Sequence, residues 1–185
     1  MSYLSNQSTI LSASSSFCFR ADLLSCIADD PLCSTIVDLR KNVIGKEFEE
    51  YLEMNLRKLS ICFETEAELR LQGKPKTPDA LLLIPMSVQV HGSNYLVNWI
   101  DSKGMFADAE TFLEHEQQLK GYVNRYGHGL VIYWYGHVEL PTTVDNIYIT
   151  DGFPDVWIWP TGETAKADVK PSFDAKALYS YEQET

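Results

Sequence analysis

Asp79 follows a proline in Lys76-Thr77-Pro78-Asp79, and twenty-one residues later Asp101-Ser102-Lys103 sets a second aspartate two positions ahead of a lysine. Two carboxylates and an ammonium that converge on one point make a seat for a divalent cation beside a fixed positive charge. That combination activates water against a phosphodiester and offsets the charge that builds in the transition state. Mg²⁺ or Mn²⁺ is the expected ion, because hard cations prefer carboxylate and carbonyl oxygen, and Mg²⁺ keeps several waters. Asp79, Asp101 and the Ser102 backbone carbonyl are the candidate metal ligands. Lys103 is the candidate to orient or deprotonate the attacking water. The plain alternative is a turn at Pro78-Asp79 and a surface ion pair between Asp101 and Lys103.

The elements around these residues must bring them together. Asp79 opens the apolar run Ala80-Leu81-Leu82-Leu83-Ile84, and Asp101 closes Tyr95-Leu96-Val97-Asn98-Trp99-Ile100. Val88-Gln89-Val90 and the turn-like His91-Gly92-Ser93-Asn94 lie between them. This predicts a β-meander of three strands, in which the start of one strand sits beside the end of another. Side chains alternate along a strand, so Asp101 and Lys103 share a face and Ser102 points to the other.

Ser34 to Leu59 reads as a long helix, with Val37, Val43, Ile44, Phe48, Leu52, Leu56 and Leu59 at three- and four-residue steps. Glu49 lies one turn after Gly45, beside the apolar stripe. It is a further candidate metal ligand, direct or through water. Gly45 costs about 1 kcal/mol relative to Ala in a helix interior, which close approach of a backbone or ligand would explain. A second helix is predicted over Asp108 to Tyr126, with core contacts from Leu113, Val123 and Tyr126. Gln118 and Tyr122 share a face one turn apart; on their own they read as a surface amide and a core aromatic, and in a nuclease Gln118 would steady Lys103 or a phosphate with Tyr122 packed under it. Gly129 to Gly136 is an unbroken apolar run that suits a central strand. The order helix, three strands, helix, strand makes an α/β fold with a mixed sheet.

Composition bounds the rest. The chain of 185 residues has a net charge of −11, which opposes tight non-specific binding to nucleic acid. The excess lies outside the motifs. Residues 70–126 balance Arg70, Lys74, Lys76, Lys103, Lys120 and Arg125 against Asp79, Asp101, Asp108, Glu110, Glu114 and Glu116. Lys76, Lys120, Tyr122 and Arg125 are the candidate substrate-binding residues, with Lys74 beside them. Cys18, Cys26, Cys33 and Cys62 have no C-x-x-C spacing and read as thiols of a nuclear or cytoplasmic protein. No apolar run is long enough to span a membrane. The expected organisation is one domain at residues 22–160. A disordered or flexible segment precedes it at 1–21, and a flexible acidic tail follows at 161–185. Val156-Trp157-Ile158-Trp159 is a candidate extra strand before that tail.

Taken together, Gly45 to Glu49, Pro78-Asp79, Asp101-Ser102-Lys103 and Gln118 to Tyr122 resemble the PD-(D/E)xK nuclease superfamily. The longer blocks Ala28-Asp29-Asp30-Pro31-Leu32, Ile44-Gly45-Lys46-Glu47-Phe48-Glu49, Lys76-Thr77-Pro78-Asp79, Trp99 to Lys103 and Gly129 to Gly136 resemble the TPD-motif family within it. The resemblance covers roughly residues 22 to 140. It implies a restriction-endonuclease-like α-β-β-β-α-β core. It implies Mg²⁺- or Mn²⁺-dependent hydrolysis of nucleic acid, structured DNA being the expected substrate, and a codanin-like protein partner. Catalysis would fall to Glu49, Asp79, Asp101, Lys103 and Gln118. Family members often carry Glu where this chain has Asp101, and Gly-Pro-Gly where it has Gly127-His128-Gly129. About forty residues precede Gly45, where longer members have an extended helical region. The alternative function is a nuclease-fold module that binds a protein partner without cutting.

Overall fold

The computed structural model describes residues 35–90, 92–140 and 144–167. The sequence reading has one domain, but the chain divides into two compact units, at Ile44/Gly45. All the candidate site residues lie in the second.

Helix α1 spans Thr35–Lys58. From Gly45 onward it buries Phe48, Tyr51, Leu52 and Leu56, an apolar stripe at helical spacing. Val43, expected on that stripe, is exposed. A methyl built on Gly45 would meet nothing within 4 Å. Close backbone approach therefore does not explain that glycine.

The second unit holds a mixed seven-stranded sheet among the described residues. It is built from β1 (Phe63–Thr65), β2 (Ala80–Val90), β3 (Ser93–Lys103), β4 (Gly129–Tyr133), β5 (Ile147–Thr150), β6 (Val156–Ile158) and β7 (Thr164–Lys166). The order is β5-β4-β3-β2-β6-β7, with β1 also on β2. β3, β4 and β5 run parallel, and the other pairs are antiparallel. Two more helices, α2 (Glu66–Leu71) and α3 (Ala109–Tyr126), complete it. α3 is the crossover that parallel β3 and β4 require.

The expected three-strand meander is corrected in two places. Ala80–Ile84 and Val88–Val90 belong to one long strand, whose register against β3 breaks between Leu81 and Met86. Pro85 lies in the irregularity, where a strand tolerates a residue without an N–H. The third strand of the group is instead β1, which pairs with the start of β2. It is only three residues long and carries no alternating pattern.

The two faces of the sheet have separate cores. Leu52 and Leu56 of α1 pack with Leu82, Met86, Val88, Ile100, Leu130 and Ile132. Phe112, Leu119 and Tyr122 of α3 pack with Trp99, Val131 and Tyr133. Leu113, expected in that core, is exposed, because it turns a full position past the inward residue Phe112. β4 is buried along its whole length, as its unbroken apolar run predicts, but it ends at Tyr133 rather than Gly136.

Helix α3 is locked to the sheet at its C-terminal end. Asn98 Nδ2 donates to Tyr126 O at 2.7 Å, and Trp99 Nε1 donates to Gly127 O at 2.8 Å. These bonds satisfy carbonyls that a helix end leaves orphaned. Gly129 lets the Trp99 ring lie flat on β4: a Cβ there would fall 2.0 Å from Cε2.

The expected strand at Val156–Trp159 is β6. The expected tail starts too early, since Thr164–Lys166 pair with β6. Trp159 and Glu163 close that hairpin through a 2.8 Å backbone bond, and Trp157 is fully buried beneath it. The remainder of the tail, and the segment 1–21, lie outside the described residues. No helix among the described residues is long and apolar enough to cross a membrane.

Candidate active site

The register of β2 against β3 pairs Ala80 with Ile100, so Asp79 and Asp101 flank the same end of the ladder. Ser102 N–H donates to Asp79 Oδ2 at 2.6 Å. Asp101 is 2% exposed, and its Oδ2 stands 2.8 Å from Lys103 Nζ. That contact is a buried, charge-assisted pair, and it is the contact to Asp101 Oδ2 that the ammonium supplies.

Strand alternation decides which face these groups occupy. Asp101 and Lys103 follow Trp99 toward α3. Ser102 follows Ile100 toward α1, and its Oγ accepts from Trp134 Nε1 at 2.7 Å. Trp134 in turn stacks on Phe48 at 5.1 Å. Ser102 therefore presents only its backbone between the two aspartates.

Burial, and after it the repulsion of Asp101, raises the Asp79 pKa well above its ordinary value; the Ser102 N–H and Lys103 pull the other way. Burial works against the Lys103 ammonium, but attraction from Asp101 and then Asp79 and Glu49 outweighs it and leaves the pKa raised. Lys103 is thus held as an ammonium. It can orient a water and offset negative charge.

Glu49 adjoins the site from α1. Its pKa is raised, by burial first and then by Glu66, with Asp101 a further contributor. It therefore feels the site, but among the described residues no three His, Cys, Asp or Glu side chains meet closely enough to hold an ion. The reason is the layering: α1 packs on the face opposite the one that Asp101 and Lys103 enter. Asp79, Asp101 and the Ser102 carbonyl are the groups here that could hold a metal, and two crowded carboxylates suit a hard divalent cation.

Helix α3 reaches the site through Gln118. Lys103 Nζ lies 3.5 Å from Gln118 Oε1, Gln118 Nε2 donates to Tyr122 OH at 2.6 Å, and Tyr122 OH donates to Thr77 O at 3.0 Å. This relay ties the lysine to the backbone two residues before Asp79. Tyr122 is 2% exposed and its hydroxyl is bonded on both sides. Burial above all, then Asp101, holds its pKa far up, so the proton stays. Tyr122 positions Gln118 and lines the cavity beside it.

The other substrate-binding candidates divide. Lys76 borders a cavity beside Gln118 and Tyr122. Arg125 donates to Pro75 O and so braces the loop before Asp79. Lys120 pairs with Glu116 at 2.9 Å and borders a different cavity, with Val123 and Asn124. On a helix, position 120 points away from the face that 118 and 122 share, so Lys120 does not serve this site.

Sequence reading missed the residues that hold the loop. Thr77 is buried; its Oγ1 donates to Glu66 Oε1 at 3.1 Å, and Glu66 also binds Arg70 at 2.5 Å. Thr65 and Glu68 form a capping box that starts α2. Its Thr-x-x-Glu spacing was the available signal. His115, whose Nδ1 lies 3.1 Å from Tyr133 OH, is also close by. Burial, then Lys103, lowers its pKa, so it sits there neutral.

Residues 16–153 match the sequence family described as "Protein of unknown function TPD sequence-motif". The chain belongs to the TPD sequence-motif family. A Xenopus laevis relative named CDAN1-interacting nuclease 1 is 36% identical over 165 residues, covering 86% of this chain and 52% of its own length. The human protein of the same name is 38% identical over 115 residues, 62% of this chain and 40% of its own. An uncharacterized mimivirus protein, L539, is 32% identical over 120 residues, 62% of this chain and 43% of its own. The chain thus spans about half or less of the length of these curated relatives. No solved structure matches it.

Proposed function

We propose that this chain is a metal-dependent nuclease with a PD-(D/E)xK, restriction-endonuclease-like core that hydrolyses phosphodiester bonds of nucleic acid, structured DNA in the first instance. The observation that carries the reading is the joining of Asp79 to the Ser102 backbone at 2.6 Å and of Lys103 to Asp101 at 2.8 Å, in one partly closed site. The names of the relatives support it.

Asp79, Asp101 and the Ser102 carbonyl would hold Mg²⁺ or Mn²⁺, with Glu49 acting from a distance. When bound, the ion supplies Lewis acidity toward a phosphoryl oxygen and lowers the pKa of water. The chain's own groups do the rest. Lys103, held as an ammonium, orients the water and offsets charge on the phosphoryl oxygens. Gln118 fixes the lysine's position, and Tyr122 fixes Gln118 against Thr77. Preorganisation of this kind avoids reorganisation cost at the moment of reaction.

The test is cleavage of labelled single-stranded, duplex, flap and four-way-junction DNA and of RNA, with Mn²⁺, Mg²⁺ or EDTA. Metal-dependent cutting by wild type that Asp101→Ala abolishes is expected. Undiminished cutting by the purified variant would refute the assignment.

A second reading concerns a partner. The relatives are named for interaction with CDAN1, and the acid excess of this chain lies outside residues 70–126. A codanin-like protein would recognise those acidic residues through complementary basic groups. Its binding should survive Asp101→Ala unchanged and weaken as salt rises.

A further inference from the structure

A cavity of about 470 Å³ opens beside the acid pair and shares Gln118 and Tyr122 with it. Arg70, Lys74 and Lys76 line it together with two acids, Glu66 and Glu114. Two of the three are committed: Arg70 to Glu66 at 2.5 Å and Lys74 to Glu64 at 3.1 Å. Lys76 has no ion pair among the described residues.

Lys76 is nonetheless held in place. Its backbone takes φ +58°, a left-handed conformation uncommon for a residue with a side chain. Two hydroxyls of α3 brace that turn, Tyr122 on Thr77 O at 3.0 Å and Tyr126 on Lys76 O at 3.4 Å. The side chain then lies in a notch of α3 at Gly121, where a Cβ would fall 2.7 Å from both Cδ and Nζ. Glycine is disfavoured relative to alanine inside a helix, and here its missing methyl is the seat of the lysine. An exposed ammonium with no ion pair among the described residues, lying along α3 beside this cavity and Gln118, can meet an anion.

We infer that this cavity is a phosphate subsite, centred on Lys76 in its Gly121 notch, that takes a phosphate of the nucleic-acid strand adjoining the cleaved bond. The inference rests on the nuclease reading for the nature of the ligand. The phosphate is either an internal diester or a terminal monoester, and the same lysine serves both.

The test is equilibrium binding of fluorescent single-stranded DNA in EDTA, where no cutting is needed, across a series of salt concentrations. Wild type is compared with Lys76→Met, Gly121→Ala and Lys58→Met. The last removes one exposed charge at the end of α1 and controls for net charge. Loss of one phosphate contact lowers the slope of log K against log salt by about 0.7 on a single strand. Lys76→Met and Gly121→Ala should both show that loss with several-fold weaker binding, while Lys58→Met stays near wild type. Gly121→Ala keeps every charge, so its loss reports the position of the ammonium, and its melting temperature should not fall.

Strands ending in 5′-phosphate, 3′-phosphate or hydroxyl separate the two sources. A loss confined to one phosphorylated end identifies a terminal phosphate, and an equal loss on all ends an internal one. Either supports the subsite. Lys76→Met behaving like Lys58→Met, Gly121→Ala binding like wild type, or no binding of any strand by wild type overturns it. A wild type that binds through Lys76 but never cuts with metal would instead sink the nuclease reading alone.

Discussion

Replacing Asp79 with asparagine should stabilise the metal-free protein while abolishing its function. Asparagine has nearly the same shape and keeps an oxygen to accept the 2.6 Å bond from Ser102 N–H. What it removes is a charge that the fold disfavours. Burial first and Asp101 second raise the Asp79 pKa, so the ionised form is strained in the native state. Neighbouring side chains at the end of an antiparallel ladder lie about 5 Å apart. Two like charges at that distance repel by about 3 kcal/mol at an effective dielectric of 20. Lost attraction to Lys103 offsets part of this, which leaves a net gain of about 1–2 kcal/mol, within the range usual for relieving a functional site. For a chain of this size that is a rise in Tm of roughly 2–8 °C.

The sign with pH is a second constraint. A carboxyl whose folded pKa is raised carries no penalty below its unfolded pKa. It costs stability as pH rises through the folded value. The Tm advantage of Asp79→Asn in EDTA should therefore be present at neutral pH and shrink on acidification. Scanning calorimetry of both proteins between pH 4 and 8 tests this. A variant no more stable than wild type at neutral pH, or a gap that widens toward acid, would refute the claim that the two aspartates are held together against their repulsion. Mn²⁺ should then stabilise wild type by about 2.7 kcal/mol at one hundred times its Kd, raising its Tm, and leave the variant unmoved.

Lys103→Met should do the opposite, costing about 3 kcal/mol in urea unfolding, because it strands the buried Asp101 beside Asp79 without a counter-charge; combining it with Asp79→Asn should recover part of that loss. Tyr122→Phe removes the hydroxyl that joins Gln118 to Thr77, and turnover should fall about 10- to 100-fold, as for other supports of a metal site, with KM little changed. Gly129→Ala puts a methyl 2.0 Å from the Trp99 ring and should destabilise by about 3 kcal/mol or more, read as a lower urea midpoint with an unchanged slope.

The second unit's architecture was legible where burial leaves a strong pattern. The three- and four-residue steps of Phe48, Leu52 and Leu56 marked the inner face of α1, and the unbroken run from Gly129 marked a strand buried on both sides. Short edge elements left no such mark. β1, β5 and β7 are three or four residues long, and their pairing is decided by what lies beside them rather than by their own composition. Ala80–Ile84 and Val88–Val90 read as two strands, yet β2 absorbs Pro85 in an irregularity and continues through both.

The site was legible to a different degree, because strand alternation is rigid and helix placement is not. A period of two puts Asp101 and Lys103 on one face whatever else the chain does, and an antiparallel partner brings Asp79 to the same end. The reach of Glu49 depended instead on which layer α1 occupies, which no local pattern records. The same holds for Lys120, one helical step off the face that carries Gln118 and Tyr122. Thr77 went unassigned between two informative neighbours, although it is the residue through which Glu66 from α2 and Tyr122 from α3 hold the turn before Asp79. The acids announce a chemistry, but the fold spends its buried hydrogen bonds on the loop that delivers one of them. A pair of aspartates strained by its own charges requires such bracing, since without it Asp79 would swing into solvent and relieve the repulsion.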